Sequence, residues 1–135
     1  ATLHTNGASQ SVDRIIDVFE ADEQPQIRAM LSQSLQGVVS QVLLKRVDTG
    51  GRIPATEVMF GNPAVSNLIR ENKVQEITSV IQAGKQQGMH TLDDTLVQLV
   101  TKKLVDPEEA FSYAENKGWF EQFVDIPLNS QLGMR

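Results

Sequence analysis

The chain has 135 residues, of which 40% are hydrophobic and 21% are charged, and its formal net charge is −5. This composition is typical of a soluble globular protein with enough residues for a core, and its acidity argues against nucleic-acid binding, which needs a basic face. Cysteine is absent, which excludes disulfides, thiolate metal sites and cysteine nucleophiles, and no apolar run approaches the length needed to span a bilayer.

Residues 1–19 are predicted to hold the end of a buried strand, a polar corner with His4, and then an amphipathic helix. One face of that helix carries apolar residues at i, i+3, i+4 and i+7, namely Val12, Ile15, Ile16 and Phe19. Near its start, four side chains can accept from free helix amides: Thr5, Asn6, Ser9 and Ser11. A histidine at a strand end before a helix lies where α/β folds place ligand contacts.

A second, long helix is predicted from a cap at Asp22 to about Gln41, with Gly37 as a weak point inside it. Between residues 42 and 60 the apolar residues no longer recur at helical spacing. Two apolar runs, 42–47 and 52–60, flank the turn sequence D-T-G-G, whose glycines accept positive φ. The sequence therefore predicts a β-hairpin at this point.

After the hairpin the pattern is helical. Asn62-Pro63 and Asp106-Pro107 each indicate an N-cap followed by proline at the first helical position. The segment Thr91-Leu-Asp-Asp94 resembles a capping box. Gly118 is expected to end the last helix, and the apolar tail from Trp119 is expected to dock, either on the chain's own core or on a neighbouring subunit.

Four separated motifs together resemble a known protein family. They are A-T-L-H-T-N followed by D-R-I-I-D-V-F, L-S-Q-S-L-Q-G-V-V-S-Q at 31–41, N-P-A-V-S-N-L-I-R-E-N-K at 62–73, and G-M-H-T-L-D-D at 88–94. In this order they resemble the type IV pilus retraction ATPases (PilT-like), hexameric motors of the type II/type IV secretion ATPase superfamily. The resemblance covers about residues 1–105.

Motors of this family hold the nucleotide phosphates with a glycine-rich loop and its lysine. No G-x-x-x-x-G-K-[ST] occurs in this sequence, and Gly84-Lys85-Gln86 lacks both the upstream glycine and the hydroxyl for magnesium. The resemblance therefore implies the C-terminal part of such an ATPase. ATP and Mg²⁺ are expected for the whole protein, and this chain alone is expected neither to bind nor to hydrolyse ATP.

By resemblance, His4 is the histidine of the family's histidine box, which lies near the nucleotide's γ-phosphate and couples hydrolysis to subunit movement. Thr2 and Thr5 would be its supporting hydroxyls. An imidazole can donate to phosphate or accept from a neighbour, and a small pKa change alters its charge. Taken alone, His4 is more simply a polar strand-end residue bonded to a backbone carbonyl, and the surrounding motif favours the histidine box instead. Asp13 and Arg14 are either a solvated ion pair or an interface pair.

The helix at 64–71 resembles the family's A-I-R-N-L-I-R-E motif, which is implied in retraction. Five residues match it: Asn67, Leu68, Ile69, Arg70 and Glu71. Ser66 replaces the first arginine, and a serine supplies neither its charge nor its forked donors. Leu68 and Ile69 are more simply core residues, while Arg70 and Glu71 fit an interface and a solvated surface equally well.

The remaining polar groups are assigned no chemistry. His90 replaces the family's glutamine and is expected at the surface. The pairs Asp93-Asp94 and Glu108-Glu109 are expected to be helix-start charges, because adjacent helical residues point about 100° apart. No metal site is expected, since the sequence has only two histidines and no thiol.

The predicted fold is α/β. Residues 1–60 would be the C-terminal remainder of a RecA-like P-loop ATPase core, with a strand, helices and a hairpin, and residues 61–135 a helical C-terminal region. The resemblance implies twitching motility as the process, and as partners the other subunits of a homo-hexamer and a pilus inner-membrane platform protein. It places the chain in the cytoplasm at the inner face of the membrane, without insertion. Three different interpretations fit the same residues: a stand-alone, non-catalytic domain that modulates full-length motor subunits, a fragment with no independent role, or the same region of a pilus extension or type II secretion ATPase.

Overall fold

A computed structural model describes residues 2–123. Within them the elements are α1 Ala8–Asp17, α2 Gln24–Ser34, β1 Gly37–Lys45, β2 Arg52–Phe60, α3 Pro63–Arg70, α4 Ile77–Ala83, α5 Leu92–Thr101, α6 Pro107–Tyr113 and α7 Lys117–Glu121, with 3-10 turns at Val74–Glu76 and Lys85–Gln87. None of the helices in this part of the chain is long and apolar enough to cross a membrane. Helices and a hairpin agree with the predicted α/β class.

The chain divides into two compact units, and the first contains Ala1–Ser40 and Glu57–Thr91. Its core is formed by side chains from α1, β2, α3, α4 and the turns that flank α4. The buried members are Ala8, Val12, Ile16, Met59, Val65, Ile69, Val74, Ile77, Ile81 and Met89. Burial of each large aliphatic side chain contributes about 1.5–3 kcal/mol, which is enough to fix these short helices together.

The second unit contains Gln41–Thr56 and the chain from Leu92 onward. Its core combines the turn half of the hairpin with α5, α6 and α7. The buried members are Val42, Leu44, Ala55, Leu92, Leu96, Leu99, Val105, Ala110, Phe111, Ala114 and Phe120. Trp119 packs against this core, so the first residues of the apolar tail dock within their own chain, and residues 124–135 lie outside the described part.

The predicted hairpin is confirmed, as a two-stranded sheet of β1 and β2. Burial alternates along both strands, as the period of two requires. Gly50 and Gly51 have φ of 75° and 77°, which explains the two glycines at the turn. Beside it, Arg46 donates to both carboxylate oxygens of Asp48 at 2.9 and 2.6 Å, and this pairing holds the pKa of Asp48 well below its usual value.

Two expected boundaries near the start of the chain are wrong. Residues 2–6 form no strand, and Leu3 is exposed. Helix α1 ends at Asp17, so Phe19 lies beyond it and is 38% exposed. The apolar face that α1 buries is therefore shorter than predicted, with Val12 and Ile16 fully buried.

The long helix predicted to reach Gln41 ends instead at Ser34, and β1 begins at Gly37. A Cβ on Gly37 would lie 2.9 Å from the carbonyl oxygen of Met59. The glycine therefore allows the two strands to approach closely, and the β-branched pair that follows it favours the strand.

Two of the predicted helix caps are confirmed. The Asn62 side chain accepts from Val65 N at 2.8 Å, and the Asp106 carboxylate accepts from Glu108 N at 2.9 Å. The cap at Asp22 is wrong, because the N-cap of α2 is Glu23 and no side-chain hydrogen bond caps it. Gly118 also does not end α6, which stops at Tyr113; it lies inside α7.

Candidate functional site

The histidine-box candidates lie on the irregular segment before α1. His4 and Thr2 are exposed, and Thr5 is half-buried. The hydroxyls of Thr5 and Ser11 are 2.6 Å apart, and Ser11 Oγ also donates to the carbonyl oxygen of Gly7 at 2.9 Å. Thr5 thus ties the segment to the first turn of α1, and the His4 imidazole is left open to solvent.

None of the side chains predicted as caps fulfils that role at α1. The N-cap is Gly7, in extended conformation with φ −166°, and it has no side chain to offer. Instead, the buried carboxylate of Glu57 in β2 accepts from Ala8 N at 2.8 Å. This acceptor was missed by sequence reasoning, although the alternation of β2 places Glu57 in register with the buried residues Ala55 and Met59.

The 64–71 motif forms α3 with its C-cap, Glu71. Ile69 is fully buried and Leu68 packs against the core, so the simpler interpretation holds for these two. Arg70 is exposed and donates to the Asn67 side chain, three residues earlier on the same helix. Glu71 is exposed and lies 3.8 Å from Lys73 Nζ. Within residues 2–123, the polar side chains of the motif therefore form an exposed surface whose contacts are with neighbouring residues of the same segment.

Ser66, which stands where the family motif has arginine, faces the preceding helix. Its hydroxyl donates to the carbonyl oxygen of Ser32 at 2.7 Å. That carbonyl belongs to the last turn of α2, where no helical amide follows to pair with it. The serine therefore joins α2 to α3 in this chain.

The two sets of candidates lie on elements that share one core but do not converge. Val12 and Ile16 of α1 and Val65 and Ile69 of α3 belong to the same buried cluster. Among the described residues, no hydrogen bond or ion pair joins the His4 segment to the polar residues of α3. The structure thus presents two separate candidate surfaces.

Asp93 and Glu109 lie in the first turns of α5 and α6, as predicted, and His90 lies before α5; all three also make contacts that the sequence did not indicate. Asp93 is buried, and its oxygens accept from Glu115 N at 2.8 Å and from Asn116 N at 2.9 Å. The Glu109 carboxylate accepts from Lys45 N at 2.8 Å. His90 is half-buried and pairs through its backbone with Val58, rather than lying free at the surface.

Helix α1 contains an aspartate, Asp13, whose pKa is shifted. Burial raises the pKa of Asp13 above its usual value of 3.8; the nearby charge of Asp17 raises it further, and Arg28 partly offsets both. Arg28 Nη1 is itself buried and has no hydrogen-bond partner among the residues that the structure describes. No salt bridge within 4.0 Å joins Asp13 to Arg14 in the described structure, so a tight pair between these two neighbours is not present.

The described residues do not by themselves fit a magnesium-nucleotide site. They contain no group of three or more histidine and carboxylate side chains able to hold a metal. The sequence also lacks the glycine-rich loop that would hold phosphates. Any nucleotide contact by His4 would therefore need groups supplied by other chain segments.

Comparison with known proteins reveals clear relatives. The chain is 52% identical over 115 residues to a twitching motility protein of Neisseria gonorrhoeae, and 51% identical over 109 residues to the type IV pilus retraction ATPase PilT of Pseudomonas aeruginosa. These alignments cover 85% and 81% of the chain but 31% of each relative. The type IV pilus ATPase PilU of P. aeruginosa is 37% identical over 98% of the chain and 33% of its own length. No protein-family model matches.

The fold agrees. A crystal structure of the pilus retraction motor PilT with bound ADP superposes with a TM-score of 0.77 at 38% identity, over 90% of this chain and 33% of that one. The ATPase DotB of Legionella pneumophila shares the fold, with a TM-score of 0.63 at 18% identity. Sequence and fold therefore match the chain to part of a type IV pilus ATPase.

The chain belongs to the PilT-like family of type IV pilus retraction ATPases. It spans about a third of the length of the relatives it matches.

Proposed function

We propose that the chain is the C-terminal part of a motor ATPase subunit that couples ATP hydrolysis to pilus disassembly in twitching motility. The observation that carries this proposal is the agreement of two comparisons. Relatives at 52% and 51% identity are a twitching motility protein and PilT, and the superposed structure is PilT with bound ADP. The activity itself would belong to the whole subunit.

Within that subunit, the segment before α1 would face the nucleotide. His4 is exposed on it, with Thr2 beside it and Thr5 anchored to Ser11. The exposed imidazole is free to donate to or accept from a group that approaches from another segment. ATP and Mg²⁺ would be held by the phosphate loop, which this sequence lacks, so the isolated chain should neither bind nor hydrolyse ATP.

The polar face of α3 would make a contact with a partner. Arg70 and Glu71 are exposed at its C-terminal end, and Asn67 orients the arginine. A further subunit of a hexameric ring, or the platform protein at the inner face of the cytoplasmic membrane, would be that partner. Ser66 supports α2 in this chain, so the contact would be made without the family's first arginine.

A second candidate is the same region of a PilU-type pilus ATPase, because that match extends over 133 residues, 98% of the chain. Two further candidates are a stand-alone domain that modulates full-length motor subunits and the same region of a pilus extension or type II secretion ATPase.

A chimera tests the proposal. The 109 matched residues of P. aeruginosa PilT would be replaced by those of this chain and expressed in cells that lack PilT. We expect twitching motility to return, and we expect a chimera with His4→Ala to lose it. A chimera that folds and hydrolyses ATP but restores no motility would reject the retraction function.

The isolated chain provides the second test. Purified residues 1–135 are expected to show no ATP turnover, and measurable turnover would refute the statement that the isolated chain cannot hydrolyse ATP.

The second candidate has its own test. If the residues of this chain restored motility when placed in PilU in cells that lack PilU, but not when placed in PilT in cells that lack PilT, the PilU-type assignment would be favoured.

A further inference from the structure

The carboxylate of Glu57 occupies the N-terminus of α1. Its Oε1 accepts from Ala8 N at 2.8 Å, and the side chain is 2% exposed. The amides of a first helical turn have no partner within the helix. At α1 the N-cap is a glycine, so a side chain from a distant strand does what a local serine or aspartate does in most helices.

Charge strengthens this contact. The N-terminal end of a helix carries a partial positive charge, and a carboxylate placed there in a buried setting interacts more strongly than a neutral acceptor. Within the same first unit, the chain just before α1 is held from the other side by Thr5, Ser11 and the Gly7 carbonyl. The segment that carries His4 is thus fixed on both sides of residue 7.

The position of Glu57 has a consequence for nucleotide binding. A free helix N-terminus is a ready site for phosphate. At α1 the first amide of the helix, Ala8 N, is already paired with an internal carboxylate, which would repel a phosphate. The Ala8 amide is therefore not open to an anionic ligand, whereas the exposed His4 side chain on the preceding segment is.

We infer that Glu57 is a positioning residue, which fixes the histidine-bearing segment against the start of α1 so that His4 is presented in one orientation. This inference rests on the proposed function for its catalytic consequence. Its structural part, the dependence of the His4 segment on the Glu57 carboxylate, stands independently.

The first test uses the 135-residue chain and three variants. Glu57→Ala removes the acceptor and the charge, while Glu57→Gln keeps an oxygen that can accept from Ala8 N. Glu23→Ala is the matched control, because Glu23 is a glutamate at the N-cap of α2 that makes no cap hydrogen bond. Thermal unfolding establishes that each variant is folded.

The readouts are hydrogen exchange at the Ala8 amide and the NMR shifts of the His4 ring. We expect Glu57→Ala to speed exchange at Ala8 about tenfold or more and to move the His4 signals. Glu57→Gln should lie nearer to wild type, and Glu23→Ala should match it. Unchanged exchange and unchanged His4 signals in folded Glu57→Ala would overturn the inference. If that variant does not fold, Glu57→Asp takes its place, because its side chain is one methylene shorter and draws the acceptor away from Ala8 N. Unchanged exchange at Ala8 and unchanged His4 signals in Glu57→Asp would then overturn the inference.

The second test measures ATP turnover in the PilT chimera. Glu57→Ala should lower kcat about tenfold with little change in KM, because a displaced His4 affects the transition state more than nucleotide binding, and Glu57→Gln should restore most of the rate. If His4→Ala lowers turnover but Glu57→Ala does not, the positioning role is wrong and the proposed function stands. If His4→Ala has no effect while Glu57→Ala frees the Ala8 amide, the proposed role of His4 is wrong and the positioning stands.

Discussion

Ser66 Oγ donates to the carbonyl oxygen of Ser32 at 2.7 Å, and so satisfies a carbonyl in the last turn of α2. The residue that departs most from the family motif therefore has a structural role in this chain. The Ser66 hydroxyl supplies a hydrogen bond between α2 and α3.

Ser66→Ala should destabilise the chain by about 1 kcal/mol, since it leaves a part-buried carbonyl without its partner. Urea unfolding followed by circular dichroism measures the change. Ser34→Ala is the matched control: Ser34 Oγ donates to Met30 O at 2.9 Å, but the bond is exposed and a regular helix already supplies that carbonyl with an amide. Equal losses in the two variants would show that the Ser66 contact does not contribute.

Asp93→Ala should lower the free energy of unfolding by more, about 2–4 kcal/mol. The substitution leaves two amides without the buried carboxylate that accepts from both of them. Fluorescence of Trp119, in the helix that these amides precede, reports the unfolding. Asp93→Asn keeps one acceptor and should lie between wild type and the alanine variant. Asp22→Ala is the control, since this exposed carboxylate caps no helix in the structure; a loss as large as that of Asp93→Ala would contradict the assignment.

Gly61→Ala should be strongly destabilising, by about 2–4 kcal/mol, since a Cβ there would overlap the backbone oxygen of Leu35, which cannot rotate away. Gly118→Ala provides the contrast. Its nearest neighbour would be Asn116 Oδ1 at 3.8 Å, and it lies within α7, where alanine is preferred to glycine by roughly 0.5–1 kcal/mol. We expect the thermal unfolding temperature to fall in Gly61→Ala and to rise in Gly118→Ala. A change in the same direction in both variants would refute the argument.

Asp13 predicts a specific dependence on pH. Its pKa is raised in the folded state, so the folded chain binds this proton more tightly than the unfolded chain does. The contribution of Asp13 to stability therefore falls as pH rises from 3.8 through the raised value, and it stays low at neutral pH.

Asp13→Asn should accordingly be slightly more stable than wild type at pH 7, by less than about 1 kcal/mol because solvent screens a group of this exposure, and should lack this part of the pH dependence. Urea unfolding between pH 4 and pH 7 measures it. Asp22→Asn is the control for the loss of a carboxylate at an exposed position. The stated sign would be wrong if the stability of Asp13→Asn, measured relative to wild type, were lower at pH 7 than at pH 4.

Local signals predicted much of the fold. Asn62 and Asp106 could be identified as caps because a cap and its amide lie within three residues of each other. The hairpin turn could be identified because Gly50 and Gly51 supply the positive φ that the turn requires. Each of these features depends on a short stretch of sequence.

Features that depend on distant partners were missed. The apolar spacing around Gly37 fits a helix as well as a strand, and the strand is selected by close approach to Met59. Asp93 lies at the start of a helix, where an acidic residue is common. The amides that donate to its carboxylate, however, belong to residues 22 and 23 positions later in the chain. For the candidate site, the family motif indicates His4, whose role stays a prediction, and no local pattern indicates the Glu57 carboxylate that reaches Ala8.

The Ala8–Glu57 hydrogen bond joins positions 49 residues apart. During synthesis, the segment with His4 therefore leaves the ribosome well before the strand that anchors it. Until β2 has emerged and paired with β1, the start of α1 has no acceptor for its first amide. A nascent chain stopped before Glu57 would carry the complete histidine motif in a form that is not yet held in place.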